Sequence, residues 1–403
     1  MKVAYIMPHS YENFYKKDME RFESPDDLDY NILTRSDHYP HRFCKASMMA
    51  GLEPTFYYLS STAKTTKEFT HKYGYKMKKI PVNLKLPKYG KFGWEYSYDL
   101  LKELSKDDPD LIFVFSYIVN CLIPLDMYDI IAYYCKKNKY PLIARHGGKS
   151  AICKVKGYKL HYKTWIKKST LNKANKIIVP SERELNVLNC NLEIKKDKLI
   201  GLRNPVDLDN FYEISKEKSA KVLNKDSAKK YILFVGRPEK DKGIFNILNV
   251  LPELIDSYKD IHLLIVGNGP YEEEVNRAVI DSGLQDYISF EGSIPHDSLK
   301  FYYNIADVFL IPSYAEGLPN VIQEAVACNT PIVGTDVGGI PDILSEGLGI
   351  TIPVRDDSKL LSAVKQILDG KFIINKEKRK KLLDKWSMEK FGNDLKEIYK
   401  EIV

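Results

Sequence analysis

The sequence predicts an α/β protein of two doubly wound, Rossmann-like domains, each a mostly parallel sheet clothed by helices. Three observations lead there. Short β-branched runs alternate with helix-period stretches through both halves of the chain. Segments rich in glycine and charge fall just after those runs, where an open parallel sheet carries its ligand loops. A length of 403 residues exceeds one ordinary core and points to about two domains.

In the first half, Val3–Met7, Thr55–Leu59, Leu111–Phe115, Pro141–Arg145 and Lys176–Val179 read as strands, with helices near Phe43–Ala50, Tyr96–Ser105 and Met127–Asn138. The polar stretch from Ser10 to His41 is long for a loop in a compact domain, a feature of functional or mobile segments. A strand at Lys198–Gly201 precedes a boundary near Arg203-Asn204-Pro205-Val206-Asp207. Beyond it the alternation is cleaner. Strands are expected at Tyr231–Val235, His262–Val266, Tyr287–Phe290, Val308–Pro312 and Pro331–Gly334. Helices are expected at Ile244–Asp256, Tyr271–Ser282, Asp297–Asn304 and Val321–Cys328. Two such domains facing each other would leave a central cleft in which two substrates can meet.

Composition narrows the class. With 44% hydrophobic and 29% charged residues, the chain reads as globular and soluble. Its longest apolar run, Leu111 to Pro124, is interrupted by Ser116, Tyr117 and Asn120. It falls short of the roughly 20 residues of a membrane span. The opening Met1–Pro8 has too short an apolar stretch for a signal peptide, so a cytoplasmic location is expected. Six scattered cysteines (44, 121, 135, 153, 190 and 328) form no Cys-x-x-Cys pair and read as reduced, buried thiols. The net charge of +7 permits anionic partners and selects none.

The most informative segment is Ser313-Tyr314-Ala315-Glu316-Gly317-Leu318-Pro319-Asn320-Val321-Ile322-Gln323-Glu324-Ala325. It follows a strand and opens a helix, so Glu316 lies in the loop and Glu324 about two turns on. Gly317 allows close backbone approach, and amides at a helix start attract a diphosphate. Glu324 can accept from ribose hydroxyls and Glu316 from sugar hydroxyls. Either acid alone would pass as an ordinary helix-start or surface glutamate; the whole string in this setting does not. Gly236-Arg237-Pro238-Glu239-Lys240-Asp241-Lys242-Gly243 follows the domain's first strand, and Arg237 and Lys242 can reach one anion, a forked donor beside a point charge. Gly267-Asn268-Gly269-Pro270 supplies a tight turn but lacks the full Gly-x-Gly-x-x-Gly pattern, so a dinucleotide-dependent dehydrogenase fits poorly. Gly338-Gly339 is a further glycine loop at the same edge, equally readable as a structural turn.

In the first half, Arg145-His146-Gly147-Gly148 closes a strand; His146 there can donate to a sugar hydroxyl or a developing charge, or simply be a core histidine. Lys154 to Lys176 carries eight lysines with Tyr158, Tyr162 and Trp165 and no acid. It reads either as a solvated face or as a surface for anionic lipid. No motif supports nucleic acid.

These motifs together resemble the family 4 glycosyltransferases, retaining enzymes of the GT-B fold. The matching stretches are Leu233–Gly243, Leu264–Pro270, Ile288–Ile294, Ala306–Asp342 and, more weakly, Leu202–Phe211. The resemblance implies transfer of a hexose-type sugar from a UDP- or GDP-linked donor to a glycan or lipid-linked hydroxyl, with retention and without a metal or other cofactor. It implies an acceptor-binding domain at 1–204 and a donor-binding domain at 205–385, with 386–403 (helix Met388–Ile402) packing back on the first. By matching position, Glu324 would hold the ribose and Glu316 the donor sugar. Arg237 and Lys242 would neutralise the diphosphate, aided by amides around Gly317, Leu318, Asn320 and Val321. Gly267 and the loop to Ile294 would lie by the nucleotide, and His146 matches a histidine that often ends a first-domain strand. Two departures stand out: Met7-Pro8-His9-Ser10 replaces the family's Gly-Gly loop, and Asn204-Pro205-Val206-Asp207 replaces Asn-Gly-Val-Asp. Rival readings are a nucleotide-sugar epimerase of the same shape and a non-catalytic scaffold that binds nucleotide sugar or lipid. A lipid-borne acceptor would place the chain at the inner membrane face.

Overall fold

The computed structural model describes residues 1–10, 39–86, 94–116, 126–147 and 158–403. They form two compact units, Met1–Pro205 with Met388–Val403, and Val206–Ser387.

The first unit runs β1 (Lys2–Ser10), α1 (Tyr39–Met49), β2 (Glu53–Ser60), β3 (Lys67–Thr70), β4 (Lys76–Pro81), β5 (Leu84–Leu86), β6 (Trp94–Tyr96), α2 (Tyr98–Asp107), β7 (Leu111–Ser116), α3 (Met127–Asn138), β8 (Leu142–His146), α4 (Tyr158–Leu171), β9 (Lys176–Val179), α5 (Glu182–Leu192) and β10 (Leu199–Gly201). The main sheet has the order β10-β9-β8-β7-β1-β2-β4-β3, parallel except at the β3–β4 edge, and β5 and β6 form a separate hairpin. Period-2 alternation divides β1 between two cores. Ala4 and Ile6 join Val114, Ala144 and Val179 on one face, while Val3, Tyr5 and Met7 join Phe43, Phe113 and Phe115 on the other. Ser97, Asp126 and Ser181 cap α2, α3 and α5 with their side chains, each contributing about 1 kcal/mol.

The first strand extends beyond Met7. The Ser10 amide and hydroxyl both donate to the buried Glu95 carboxylate at 2.8 Å, which ties the strand's end to the hairpin.

The second unit runs α6 (Lys216–Leu223), β11 (Lys230–Val235), α7 (Ile244–Ser257), β12 (Ile261–Val266), α8 (Glu272–Asp281), β13 (Ile288–Gly292), α9 (Leu299–Ile305), β14 (Val308–Ile311), α10 (Asn320–Ala327), β15 (Ile332–Thr335), α11 (Ile340–Leu344), β16 (Gly349–Ile352), α12 (Asp357–Leu368) and α13 (Lys376–Trp386). Its sheet is wholly parallel, in the order β13-β12-β11-β14-β15-β16. Strand order reverses between β11 and β14, and ligands of open parallel sheets bind at such a reversal. Apolar side chains cover both faces, Leu233 and Phe309 on one and Ile232 and Leu310 on the other.

The last helix, α14 (Met388–Lys400), belongs to the first unit and lies on α1. Contact is close: a Cβ on Gly392 would sit 2.1 Å from the Ala46 carbonyl oxygen. The Tyr399 hydroxyl meets that of Tyr5 at 2.7 Å, and Tyr5 also meets Ser47 at 2.6 Å.

Two expectations need correction. Cys44, Cys135 and Cys328 are buried as free thiols, but Cys190 is exposed, because it lies on the outer side of α5; Cys121 and Cys153 lie outside the described residues. The lysine-rich run is not uniformly solvated. Residues 158–171 form α4, Lys167 is buried, and Lys168, Lys173 and Lys176 pair with Glu193, Asp129 and Glu401 brought from elsewhere in the chain. Trp165 remains 58% exposed. Lys154 and Lys156 lie outside the described residues.

Candidate functional site

Because β11 and β14 are neighbours, their carboxyl-end loops meet at the reversal of strand order. The Lys242 ammonium pairs there with the Glu316 carboxylate, with side chains 19% and 7% exposed. Ser313 Oγ donates to the same Glu316 oxygen at 2.9 Å. The backbone stitches the loops as well, Tyr314 N donating to the Asp241 carbonyl at 2.7 Å. An acid and a base held this far from bulk water feel each other more strongly than a surface pair does.

The loops on either side complete a rim. Gly267 N donates to the Gly292 carbonyl at 2.7 Å. Gly267 itself has φ +119°, and a Cβ there would fall 2.3 Å from the Gly236 oxygen. On the other flank Gly339 N donates to the Gly317 carbonyl at 2.6 Å. Gly338, at φ +55°, would put a Cβ 2.2 Å from the Gly317 oxygen. Both positions need glycine for its conformation and for the approach of a second strand of backbone. The Gly338-Gly339 pair is thus the strut beneath the Glu316 loop.

Glu324 lies on α10, one turn before the helix ends. Its carboxylate is 3% exposed and takes His296 Nε2 at 3.0 Å on one oxygen and the Tyr303 hydroxyl at 3.2 Å on the other. Pro319, the residue before α10, offers no side-chain cap to the helix start at Asn320 and Val321. Leu318, Val321 and Ile294 are half-buried and lean on the unit's core.

The structure does not bring every expected residue together. Arg237 is two-thirds exposed and its guanidinium lies 3.1 Å from Glu239, two residues on, whereas Lys242 pairs with Glu316. His146 belongs to the first unit and is buried at the end of β8, 3.6 Å from Glu184 at the start of α5. Neither of its ring nitrogens has a hydrogen-bond partner among the described residues. Beside it, Arg145 donates to the Asn204 side chain at 2.6 Å. Gly148 lies outside the described residues.

Sequence reasoning passed over His296 and Tyr303, and gave Ser313 no role within the segment it opens. His296 sits in a single short turn, His296–Ser298, where no periodicity marks it. The available signal was its place after the Gly292–Ile294 loop, at the carboxyl edge of β13.

Residues 215–385 match the family described as glycosyl transferases group 1. The match lies within the second unit and spans the site from Arg237 to Gly339. An uncharacterized glycosyltransferase of Methanocaldococcus jannaschii is 30% identical over 176 residues, 42% of this chain and 45% of that protein. The chain spans less than half the length of the curated relatives it matches first. Among solved structures, a sucrose-phosphate synthase of Thermosynechococcus elongatus aligns over 100% of this chain and 99% of its own, with a TM-score of 0.73 and 18% identity. HepE of Anabaena, in complex with UDP, aligns over 100% of both chains with a TM-score of 0.70 and 14% identity. The fold is that of the GT-B glycosyltransferases, an α/β architecture of two Rossmann-like domains.

Proposed function

We propose that the chain is a retaining family 4 glycosyltransferase that moves a hexose from a UDP- or GDP-linked donor to a hydroxyl of a glycan or lipid-linked acceptor, with no metal ion. The observation that carries this reading is the Lys242–Glu316 pair at the strand-order reversal, with Glu324 on the helix that the same loop opens. The family match over this segment and the UDP-bound neighbour agree with it.

In this reading the second unit holds the donor and the first unit, with His146, the acceptor. The diphosphate competes with Glu316 for the Lys242 ammonium, which frees the carboxylate for sugar hydroxyls. The bond between the sugar's anomeric carbon and the phosphate oxygen stretches toward an oxocarbenium-like state. Lys242, Arg237 swinging from Glu239, and the amides at Gly317 to Val321 take up the developing charge. The acceptor oxygen bonds to the anomeric carbon on the face the phosphate leaves, and its proton passes to the departing phosphate.

Acceptor-dependent release of UDP or GDP from a panel of sugar nucleotides, with the product's anomeric configuration read by NMR, tests the proposal. Isomerised donor without acceptor would make the chain an epimerase, and donor binding without turnover on any acceptor pool would make it a scaffold. A lipid-linked acceptor extends the reading to the cytoplasmic face of an anionic membrane, approached through α4 and its exposed Trp165. Equal sedimentation with neutral and anionic vesicles would remove that extension.

A further inference from the structure

A glutamate on a helix is ordinarily a mobile side chain, and fixing it costs rotamer entropy. Glu324 is already fixed. Its two oxygens take donors from two different elements, the turn His296–Ser298 and α9, at 3.0 and 3.2 Å. A carboxylate oxygen only accepts, so His296 Nε2 carries the proton in this contact. The donors are themselves braced. Phe211, fully buried, sets its ring against that of His296 with centroids 4.8 Å apart and against Tyr303 at 6.1 Å. Tyr303 is buried in the same core. The orientation of one carboxylate is therefore fixed by groups from residue 211, residue 296 and residue 303.

We propose that His296, with Tyr303 beside it, is a positioning residue that aims Glu324 at the nucleotide's ribose, and that discrimination between ribose and deoxyribose depends on it. This rests on the reading of Glu324 as the ribose acceptor. A vicinal diol offers two donors, and a carboxylate accepts both only when its plane is held in the right orientation. A hydrogen bond to a charged group contributes about 1.5–3 kcal/mol. Loss of one hydroxyl should then cost on the order of ten- to a hundredfold in affinity, provided the carboxylate cannot swing to compensate.

The test is calorimetric titration of the whole chain with UDP, GDP and their 2′-deoxy and 3′-deoxy forms. The wild-type chain is expected to prefer the ribonucleotide at least tenfold, and Glu324→Ala to abolish the preference. His296→Phe keeps a ring against Phe211 but no donor, and should reduce the preference to about threefold or less. His296→Gln, which restores a donor, should recover most of it, and Tyr303→Phe should give an intermediate loss. A folded His296→Phe chain with undiminished preference overturns the positioning role while leaving Glu324 as the ribose acceptor. A wild-type chain that binds ribo and deoxy forms alike, or neither, overturns both. Should His296→Phe not fold, the comparison of His296→Gln with Tyr303→Phe decides: an unchanged preference in Tyr303→Phe, with no difference between the two, rejects the proposal.

Discussion

Lys242 and Glu316 lie 74 residues apart in the chain and form a partly buried ion pair between the loops that follow β11 and β14. Nothing local to either segment makes this pair. It exists because two non-consecutive strands are neighbours, with Ile232 opposite Val308 and Leu233 opposite Phe309. Burying the aliphatic residues of those strands, about 1.5–3 kcal/mol each, holds the two charges at the sheet edge.

Replacing Lys242 by Ala should lower turnover by roughly a hundred- to a thousandfold, as loss of a preorganised charge contact does. The cost to folding should be about 1–3 kcal/mol, because Glu316 keeps the Ser313 hydroxyl at 2.9 Å. Lys242→Met with Glu316→Gln should recover most of that stability and none of the activity. Steady-state transfer kinetics beside urea unfolding separate the two effects.

Gly338→Val should damage the site from beneath. The backbone there has φ +55°, and the new Cβ would press the Gly317 carbonyl. A β-branched residue in this conformation costs at least about 1–2 kcal/mol before the clash is counted. We expect a lower unfolding midpoint and loss of nucleotide binding together. Gly283→Ala has φ +66° but open space around it, and should lose a little stability and no binding.

Lys78 is a buried cation at the edge of the first sheet, 3% exposed, 2.7 Å from Glu103 and 2.6 Å from Asp107. Burial alone would raise the Asp107 carboxyl, but the Lys78 and Tyr57 hydrogen bonds outweigh it and hold the group below its usual value. A depressed carboxyl contributes stability that is present above its unfolded pKa, near 3.8, and lost as pH falls through the folded one. Lys78→Met should destabilise the unit by about 3–5 kcal/mol at neutral pH. It should also flatten the acid limb of the unfolding curve, which guanidinium melts at several pH values would show.

Asp126, the cap of α3, has the opposite sign. Burial, followed by the charge of Asp129, pushes its carboxyl up to about 6. Its contribution is full below the unfolded value near 3.8 and is lost as pH rises through about 6. Asp126→Asn keeps an acceptor for the Asp129 amide, now 3.1 Å away. Thermal midpoints from pH 4 to 7 should fall in the wild type relative to this variant and then run parallel. Curves parallel throughout would contradict the assignment.

The central strands of the second sheet were legible because they are continuous apolar runs, such as Tyr231–Val235, whereas its half-buried edge strand β16 was not among those expected. In the first sheet the edge strand β3 and its neighbour β4 were not legible. Lys76-Met77-Lys78-Lys79 shows no apolar alternation, and Lys78 is buried only because Glu103 and Asp107 come to meet it. In the site, Glu316, Lys242 and Glu324 were readable from their setting after strands. His296 was not, since a lone histidine in a turn carries no pattern. Arg237 was read as half of a clamp, and sequence could not show that its guanidinium lies 3.1 Å from Glu239.

The most direct measurement is a crystal structure of the chain soaked with UDP or GDP. It should show the diphosphate about 3 Å from Lys242 Nζ, with the ribose diol on Glu324. A nucleotide lodged elsewhere, with Lys242 and Glu316 still closed on each other, would contradict the account.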